Sequence, residues 1–245
     1  LLCVAMPIIL GTHLDTSIMI GDALLFSSSA MWAVYTILAR RWSYDAWMLT
    51  RFLAIASALV YLPSLFFGFI FFDDSLILEQ SIFYSRIENV VTAFTRPLWT
   101  WGQAGYGYFR PISSALYVLS ASLSKALTGE VEAWAFHLTN LLLIAAVIAL
   151  LTALLERLEL PRRLSLSVAF LFVLHPASVG SVAWICGQNE LLLMIFVLGG
   201  SIALLEAVRP QGPIRLGWLA LHGVCLLCAL LTKENTLALP VVGAL

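Results

Sequence analysis

Two adjacent carboxylates, Asp73 and Asp74, stand directly behind the apolar run Phe52–Phe72. Neighbouring carboxyl groups perturb each other's ionisation, because two like charges at close range disfavour each other. One member of such a pair can take a proton from a hydroxyl while the other orients it or holds a cation; the alternative is a solvated helix end. Arg110, followed by Pro111, can grip a phosphate or carboxylate through two parallel N–H groups, or anchor a lipid headgroup. His137 and Asn140 lie one helical turn apart and so share a face, suited to substrate contact or to a hydrogen bond between helices. His175-Pro176 interrupts an apolar run, and the backbone groups freed by a proline are tolerated at membrane depth where they line a cavity. Glu190 begins the next run, either as a functional carboxylate near a membrane surface or as a favourable charge at a helix start. Lys233 and Glu234 close a further run. A lysine there can meet a phosphate as a point charge, or the two can form an ion pair.

The elements that must position these residues follow from composition. The 245 residues are 61% hydrophobic and 11% charged, with a mean hydropathy of +0.97, whereas a soluble domain is about half apolar and about a quarter charged. Six stretches, 17–38, 48–72, 132–155, 165–184, 190–208 and 216–232, approach the roughly 20 apolar residues a helix needs to cross hydrocarbon. The expected fold is therefore all-α, a polytopic integral membrane helix bundle. The chain starts Leu1-Leu2-Cys3 and stops at Leu245 inside an apolar run, so we read it as a fragment of a longer protein; no cleavable signal peptide is visible.

Cys3, Cys186, Cys225 and Cys228 mostly sit within apolar runs and are most simply small packing residues. Cys225 and Cys228 have CxxC spacing but lie in a spanning helix, with no second pair to complete a zinc site. A net charge of −1 and the lack of a Lys/Arg stripe argue against a nucleic-acid partner. Two adjacent aspartates are too few ligands to establish a metal site, so no cofactor is assigned, and a divalent cation at Asp73/Asp74 is the alternative they leave.

The basic residues report orientation. Arg40, Arg41 and Arg51, then Arg157, Arg162 and Arg163, then Arg209 and Arg215 fall in three connections that alternate correctly, and the positive-inside rule makes these cytoplasmic. The long loop 73–131 then lies on the non-cytoplasmic side. It is too polar to span and too rich in aromatic residues for a disordered linker. Trp99, Trp101, Tyr106, Tyr108 and Phe109 suit an interfacial belt, Gly102, Gly105 and Gly107 mark a turn, and Ile112–Leu127 has the spacing of a helix lying in the interface.

Two resemblances cover the chain. Gly21-Asp22-Ala23-Leu24-Leu25 through Trp32-Ala33-Val34-Tyr35-Thr36 to Arg40-Arg41 resembles drug/metabolite (EamA-type) transporters, which makes 1–45 a transporter-like remnant of two transmembrane helices. From 48 to 245 the resemblance is different. Tyr61-Leu62-Pro63-Ser64, Phe69-Ile70-Phe71-Phe72-Asp73-Asp74, Tyr108-Phe109-Arg110-Pro111-Ile112-Ser113-Ser114, Phe136-His137-Leu138-Thr139-Asn140, His175-Pro176, Val182-Ala183-Trp184-Ile185-Cys186-Gly187-Gln188-Asn189-Glu190 and Leu231-Thr232-Lys233-Glu234 occur in the order of one family. This region resembles GT-C glycosyltransferases of the transmembrane and tetratricopeptide-repeat O-mannosyltransferase type and their bacterial relatives.

That resemblance implies the N-terminal portion of a GT-C-like membrane domain. The implied reaction moves a sugar, mannose or another hexose, from a polyprenyl-phosphate carrier to a hydroxyl of a protein or glycan on the non-cytoplasmic face of a bacterial inner or endoplasmic reticulum membrane. The catalytic role falls on Asp73 or Asp74, with Arg110, His137, Asn140, His175, Glu190, Lys233 and Glu234 as substrate-binding candidates. Gly180 and Gln188 depart from the family, whose members commonly carry an acidic and a basic residue there. The alternatives are a drug/metabolite-type transporter, which would have short external loops and a midplane site, or an inactive truncated or chimeric chain.

Overall fold

The protein is described from a computed structural model, which covers residues 46–70, 73–98, 107–209 and 213–238. The transporter-like 1–45 segment, Cys3, Trp99, Trp101, Gly102, Gly105 and Tyr106 lie outside these residues. Among the described residues all regular structure is helical. In chain order the helices are α1 (Ala46–Tyr61), α2 (Asp73–Glu79), α3 (Ser81–Tyr84), α4 (Asn89–Thr92), α5 (Pro111–Thr128), α6 (Ala133–Arg157), α7 (Arg162–Leu174), α8 (Pro176–Ala183), α9 (Gln188–Ala207) and α10 (Leu216–Thr232). Short 3-10 turns follow α1 (Leu62–Phe66), precede α9 (Ile185–Gly187) and follow α10 (Glu234–Ala238).

Among the described residues three helical stretches, Met48–Phe66, Ala133–Arg157 and Ile185–Ala207, are long and apolar enough to cross a membrane, and α7 with α8 makes a fourth if the bent pair is one span. α10 is apolar but shorter, at 17 residues. Its 25 residues give α6 a length of roughly 37 Å, enough to cross the hydrocarbon with a tilt.

Proline breaks two of the expected runs, one of them at the His175-Pro176 interruption read from the sequence. The run 48–72 stops being α-helical at Tyr61, because Pro63 enters the first turn of a 3-10 segment and the chain is extended by Phe67. The run 165–184 breaks at His175, where φ −61° and ψ 136° precede Pro176, and α7 and α8 meet at a 72° bend. Proline fits the first position of α8, where its missing N–H has no helical partner in any case.

The helices pack as α1 on α7, α7 on α6, α6 on α9 and α9 on α10, with α5 laid against α6 and α10. Small residues let α9 and α10 approach closely. A Cβ on Gly200 would lie 3.2 Å from Cys225 Cβ, and His222 Nδ1 meets Gly200 O at 2.8 Å. One apolar core joins the long helices through Leu53, Val60, Tyr61, Val147, Val173 and Leu198. A second lies under the loop, where Ile77, Tyr84, Leu98, Tyr117, Phe136 and Ile185 interlock. The described loop residues therefore pack on the bundle through this core, whereas Tyr108 and Phe109 of the expected interfacial belt are exposed. Outward apolar side chains such as Leu59 and Phe66, the latter 90% exposed, suit contact with hydrocarbon rather than water.

Helix α5 matches the expected 112–127 helix to within a residue at each end. Pro111 opens it and Gly129, at φ 87°, closes it with its N–H on Lys125 O, a left-handed cap that a side chain would strain. One face is buried through Ser113, Ser114, Tyr117, Val118 and Ala121, while Leu119, Leu123 and Leu127 point outward.

The arginines of the three short connections gather at one end. Glu206, near the end of α9, accepts from Arg157 Nε at 3.1 Å, Arg209 Nη2 at 2.6 Å and Arg215 Nη1 at 3.4 Å. Thr50 in the first turns of α1 reaches Arg163 O at 3.4 Å, placing Arg51 and Arg163 at the same end. Chain direction then carries the other ends of α1, α6, α9 and α10, and the loop residues, to the opposite side of the bundle.

Candidate active site

Asp73 and Asp74 form the first turn of α2, where the exposed N–H groups and helix dipole favour negative charge. They are not equivalent. Asp74 is 1% exposed, whereas Asp73 is partly accessible. Asp74 Oδ2 accepts the Ile70 N–H at 3.2 Å, tying the chain before the helix to the helix itself, while its Oδ1 is buried without a hydrogen-bond partner. Its carboxyl faces Trp184 and Cys186, and burial pushes its pKa up against the lowering effect of those neighbours and of the Ile70 N–H.

The surface supporting Asp74 is the segment between α8 and α9. The backbone is extended at Trp184, turns through Ile185–Gly187 and starts α9 at Gln188. Gly187 is required by close approach, since a Cβ there would lie 2.4 Å from Gly180 O and 2.8 Å from Ser181 O. Gln188 is fully buried, and neither amide atom has a hydrogen-bond partner; Asn189 Oδ1 is buried in the same condition. Such a concentration of unsatisfied polar groups is uncommon in a protein interior and marks a place where water or ligand hydroxyls would be bound.

Four of the other candidates form two ion pairs. Arg110 grips Glu234 with Nη2–Oε1 at 2.5 Å and Nε–Oε2 at 3.0 Å, and its guanidinium lies 4.5 Å from the Tyr108 ring centre. Lys233 pairs with Glu190 across the start of α9. In both, the cation is the deeper partner: the side chains of Arg110 and Lys233 are 12% and 18% exposed, against 47% and 46% for Glu234 and Glu190. The carboxylates thus cap half-buried cations from outside. The Arg110 guanidinium holds the Glu234 carboxyl below its ordinary value. The alternative of an ion pair between Lys233 and Glu234 themselves gives way to two longer-range pairs, because the two adjacent side chains diverge toward different neighbours.

His137 and Asn140 are both buried on the inward face of α6, as their spacing predicts. Asn140 Nδ2 donates to Val182 O at 3.1 Å and Trp184 O at 2.9 Å, so its amide is engaged between helices, while Oδ1 is left without a partner. His137 lies edge-on to Phe67, with ring centres 6.1 Å apart. His175 is exposed, and its Nδ1 accepts the Ala177 N–H at 3.2 Å, capping α8.

The structure therefore brings Asp73, Asp74, Arg110, Glu190, Lys233 and Glu234 to one end of the bundle, with His137 and Asn140 beneath. It also adds Trp184, Cys186 and Gln188, which sequence reasoning had not assigned to a site. The available signal was a mixed polar run, Gly187-Gln188-Asn189-Glu190, inserted between apolar helices. Among the described residues no three His, Cys, Asp or Glu side chains lie together in a way that could hold a metal ion. Cys186, Cys225 and Cys228 are free thiols.

No family model and no solved structure matches the chain. Curated proteins do. Protein O-mannosyl-transferase TMTC3 of Mus musculus is 30% identical over 159 residues, covering 64% of this chain and 16% of that protein. Protein O-mannosyl-transferase TMTC2 of Homo sapiens is 28% identical over 138 residues, 56% of this chain and 16% of the relative. Protein O-mannosyl-transferase Tmtc2 of Drosophila melanogaster is 30% identical over 193 residues, 76% of this chain and 20% of the relative. The chain thus spans about a sixth to a fifth of the length of these proteins. The resemblance carried by the motifs extends through the greater part of the sequence, and the chain is a sequence relative of the TMTC-type protein O-mannosyl-transferases.

Proposed function

We propose that this chain is the loop-bearing portion of a GT-C-like membrane glycosyltransferase. It would transfer a sugar, mannose or another hexose, from a polyprenyl-phosphate carrier to a hydroxyl of a protein or glycan acceptor on the non-cytoplasmic face of a multi-pass bundle. The observation that carries this reading is the kinship with protein O-mannosyl-transferases, joined to the collection of two carboxylates and two half-buried cations, Arg110 and Lys233, at the end opposite the Glu206 arginine cluster. The relatives do not favour the transporter alternative, and its 1–45 segment lies outside the described residues.

In the reaction, the acceptor oxygen attacks the anomeric carbon from the face opposite the carrier. The bond from that carbon to the phosphate oxygen breaks, the phosphate leaves with the electron pair, and the hydroxyl proton passes to a carboxylate. Asp73 is the base in this scheme, because it is the accessible member of the pair, and Asp74 anchors it. Arg110 and Lys233 stabilise the departing phosphate after exchanging Glu234 and Glu190 for it, since a phosphate offers the same acceptor geometry with more charge. A divalent cation, if bound, would be held by the Asp73 and Asp74 carboxylates and would supply positive charge for the departing phosphate.

The test uses the full-length protein in membranes with radiolabelled polyprenyl-phosphate mannose. Wild-type transfer that falls by about 100-fold to 10,000-fold in Asp73→Asn, with expression unchanged, supports the assignment. Equal label release by wild type, Asp73→Asn and Asp74→Asn would sink it.

A further inference from the structure

Helix α8 abandons helical geometry at Trp184 (φ −91°, ψ 132°), so the carbonyls at its end lose the partners that another turn would have supplied. In a dry interior such groups need replacement donors. The Gly187 N–H takes Trp184 O at 3.0 Å from within the turn, and Asn140 Nδ2, from α6, bridges Val182 O and Trp184 O, tying the turn to a second helix. From the other side, Gly187 seats the turn on the backbone of Gly180 and Ser181 with no room for a Cβ. The surface so fixed, Trp184 and Cys186, is the one the Asp74 carboxyl faces, and Ile185 and Cys186 share a core with Ile77 of α2.

We infer that Asn140 is a positioning residue rather than a substrate contact: it clamps the Trp184–Gly187 turn against which Asp74 is set, and through Asp74 it fixes where Asp73 meets the acceptor. The activity half of this inference rests on the glycosyltransferase reading; the clamp itself does not. The amide suits the task because one nitrogen offers two N–H donors to two carbonyls, which a carboxylate or an aliphatic side chain of similar size lacks.

The experiment compares wild type, Asn140→Leu and Gly187→Ala in the full-length protein, in membranes. Two readouts are taken: the maleimide labelling rate of Cys186, followed by mass spectrometry of its peptide, and kcat and KM for acceptor and donor. Cys186 is 7% exposed, so its labelling reports opening of the turn. Loss of both hydrogen bonds should raise labelling about tenfold. The displaced carboxylates should lower kcat by about tenfold or more with both KM values within about twofold of wild type, because misplacement of reacting groups acts on the chemical step. Gly187→Ala disturbs the same turn without touching Asn140 and should give the same pair of changes.

Wild-type labelling in Asn140→Leu overturns the clamp. A raised KM with kcat unchanged overturns positioning in favour of substrate contact, and faster labelling with kcat and KM both unchanged leaves the turn architectural and overturns the link to Asp74. Absence of transfer by the wild type would remove the glycosyltransferase reading, while the labelling ratio would still decide whether Asn140 holds the turn.

Discussion

At Asp74 burial and ionisation oppose each other. Its carboxyl is raised by desolvation, so the folded protein binds that proton more tightly than the unfolded chain does. Stability therefore falls as pH rises from the ordinary carboxylate value of about 3.9 through the raised one, and at neutral pH the ionised group is a burden. Asp74→Asn keeps an acceptor for the Ile70 N–H and removes the charge. It should raise Tm at pH 7 by about 2 °C or more, reading 1 kcal/mol as about 2–4 °C for a chain of this size, while transfer falls less than in Asp73→Asn. A lower Tm in Asp74→Asn would show that the charge is wanted for folding. Glu234 has the opposite sign: Arg110 holds its carboxyl below the ordinary value of about 4.3, so the pair's contribution is complete above that pH and is lost as pH falls through the depressed value. Because Glu234 is half exposed, the contribution should stay under about 1 kcal/mol. Thermal melts at pH 6 and pH 3.5 should show a smaller acid-induced drop in Glu234→Gln than in wild type.

Among the elements, the broken pair α7–α8 does two things that a straight helix could not. Its bend delivers the Trp184–Gly187 turn to Asp74, and it leaves helix ends that must be capped. His175 caps α8 through Nδ1. His175→Ala should cost stability of about 0.5–2 kcal/mol, the usual range for a lost helix N-cap, with donor KM unchanged; a raised donor KM at wild-type stability would return His175 to the substrate. At the far end, Glu206 holds three arginines from α6, the end of α9 and the start of α10. Glu206→Gln should lower Tm, since it leaves three guanidinium groups crowded without their shared counter-charge.

The whole molecule is polarised. The arginines of the short connections, three of them gathered on Glu206, occupy one end of the bundle, and Asp73, Asp74 and the Arg110–Glu234 and Lys233–Glu190 pairs occupy the other. The positive-inside rule turns this polarity into a prediction of sidedness. A cysteine at exposed position 88 (Glu88→Cys) should react with a membrane-impermeant maleimide from the non-cytoplasmic side only, and one at position 162 (Arg162→Cys) only after permeabilisation. Reversal of the two would place the site residues on the cytoplasmic side and remove the proposed encounter with the lipid-linked donor there.

Apolar run length, proline and arginine placement are local properties, and they were enough to read the long described helices, the loop-borne helix α5 and the clustering of the connection arginines from the sequence, but not the short helices α2 to α4. Hydrocarbon enforces them, because a backbone crossing it must satisfy its own hydrogen bonds. Asp73, Asp74 and Arg110 were legible as candidates for the same reason: a charge beside a long apolar run needs an explanation. Their partners were not legible. Arg110 meets Glu234 across 124 positions, Lys233 meets Glu190 across 43, and Asn140 reaches Val182 and Trp184 across 42 and 44. Helical periodicity says which side of a helix a residue occupies, but not which other helix will face it or at what depth. Only tertiary packing decided that Asp74 is buried while Asp73 is accessible, that the cations lie beneath their carboxylates, and that Asn140 holds backbone, because these depend on how the bent α7–α8 pair seats between α6 and α9.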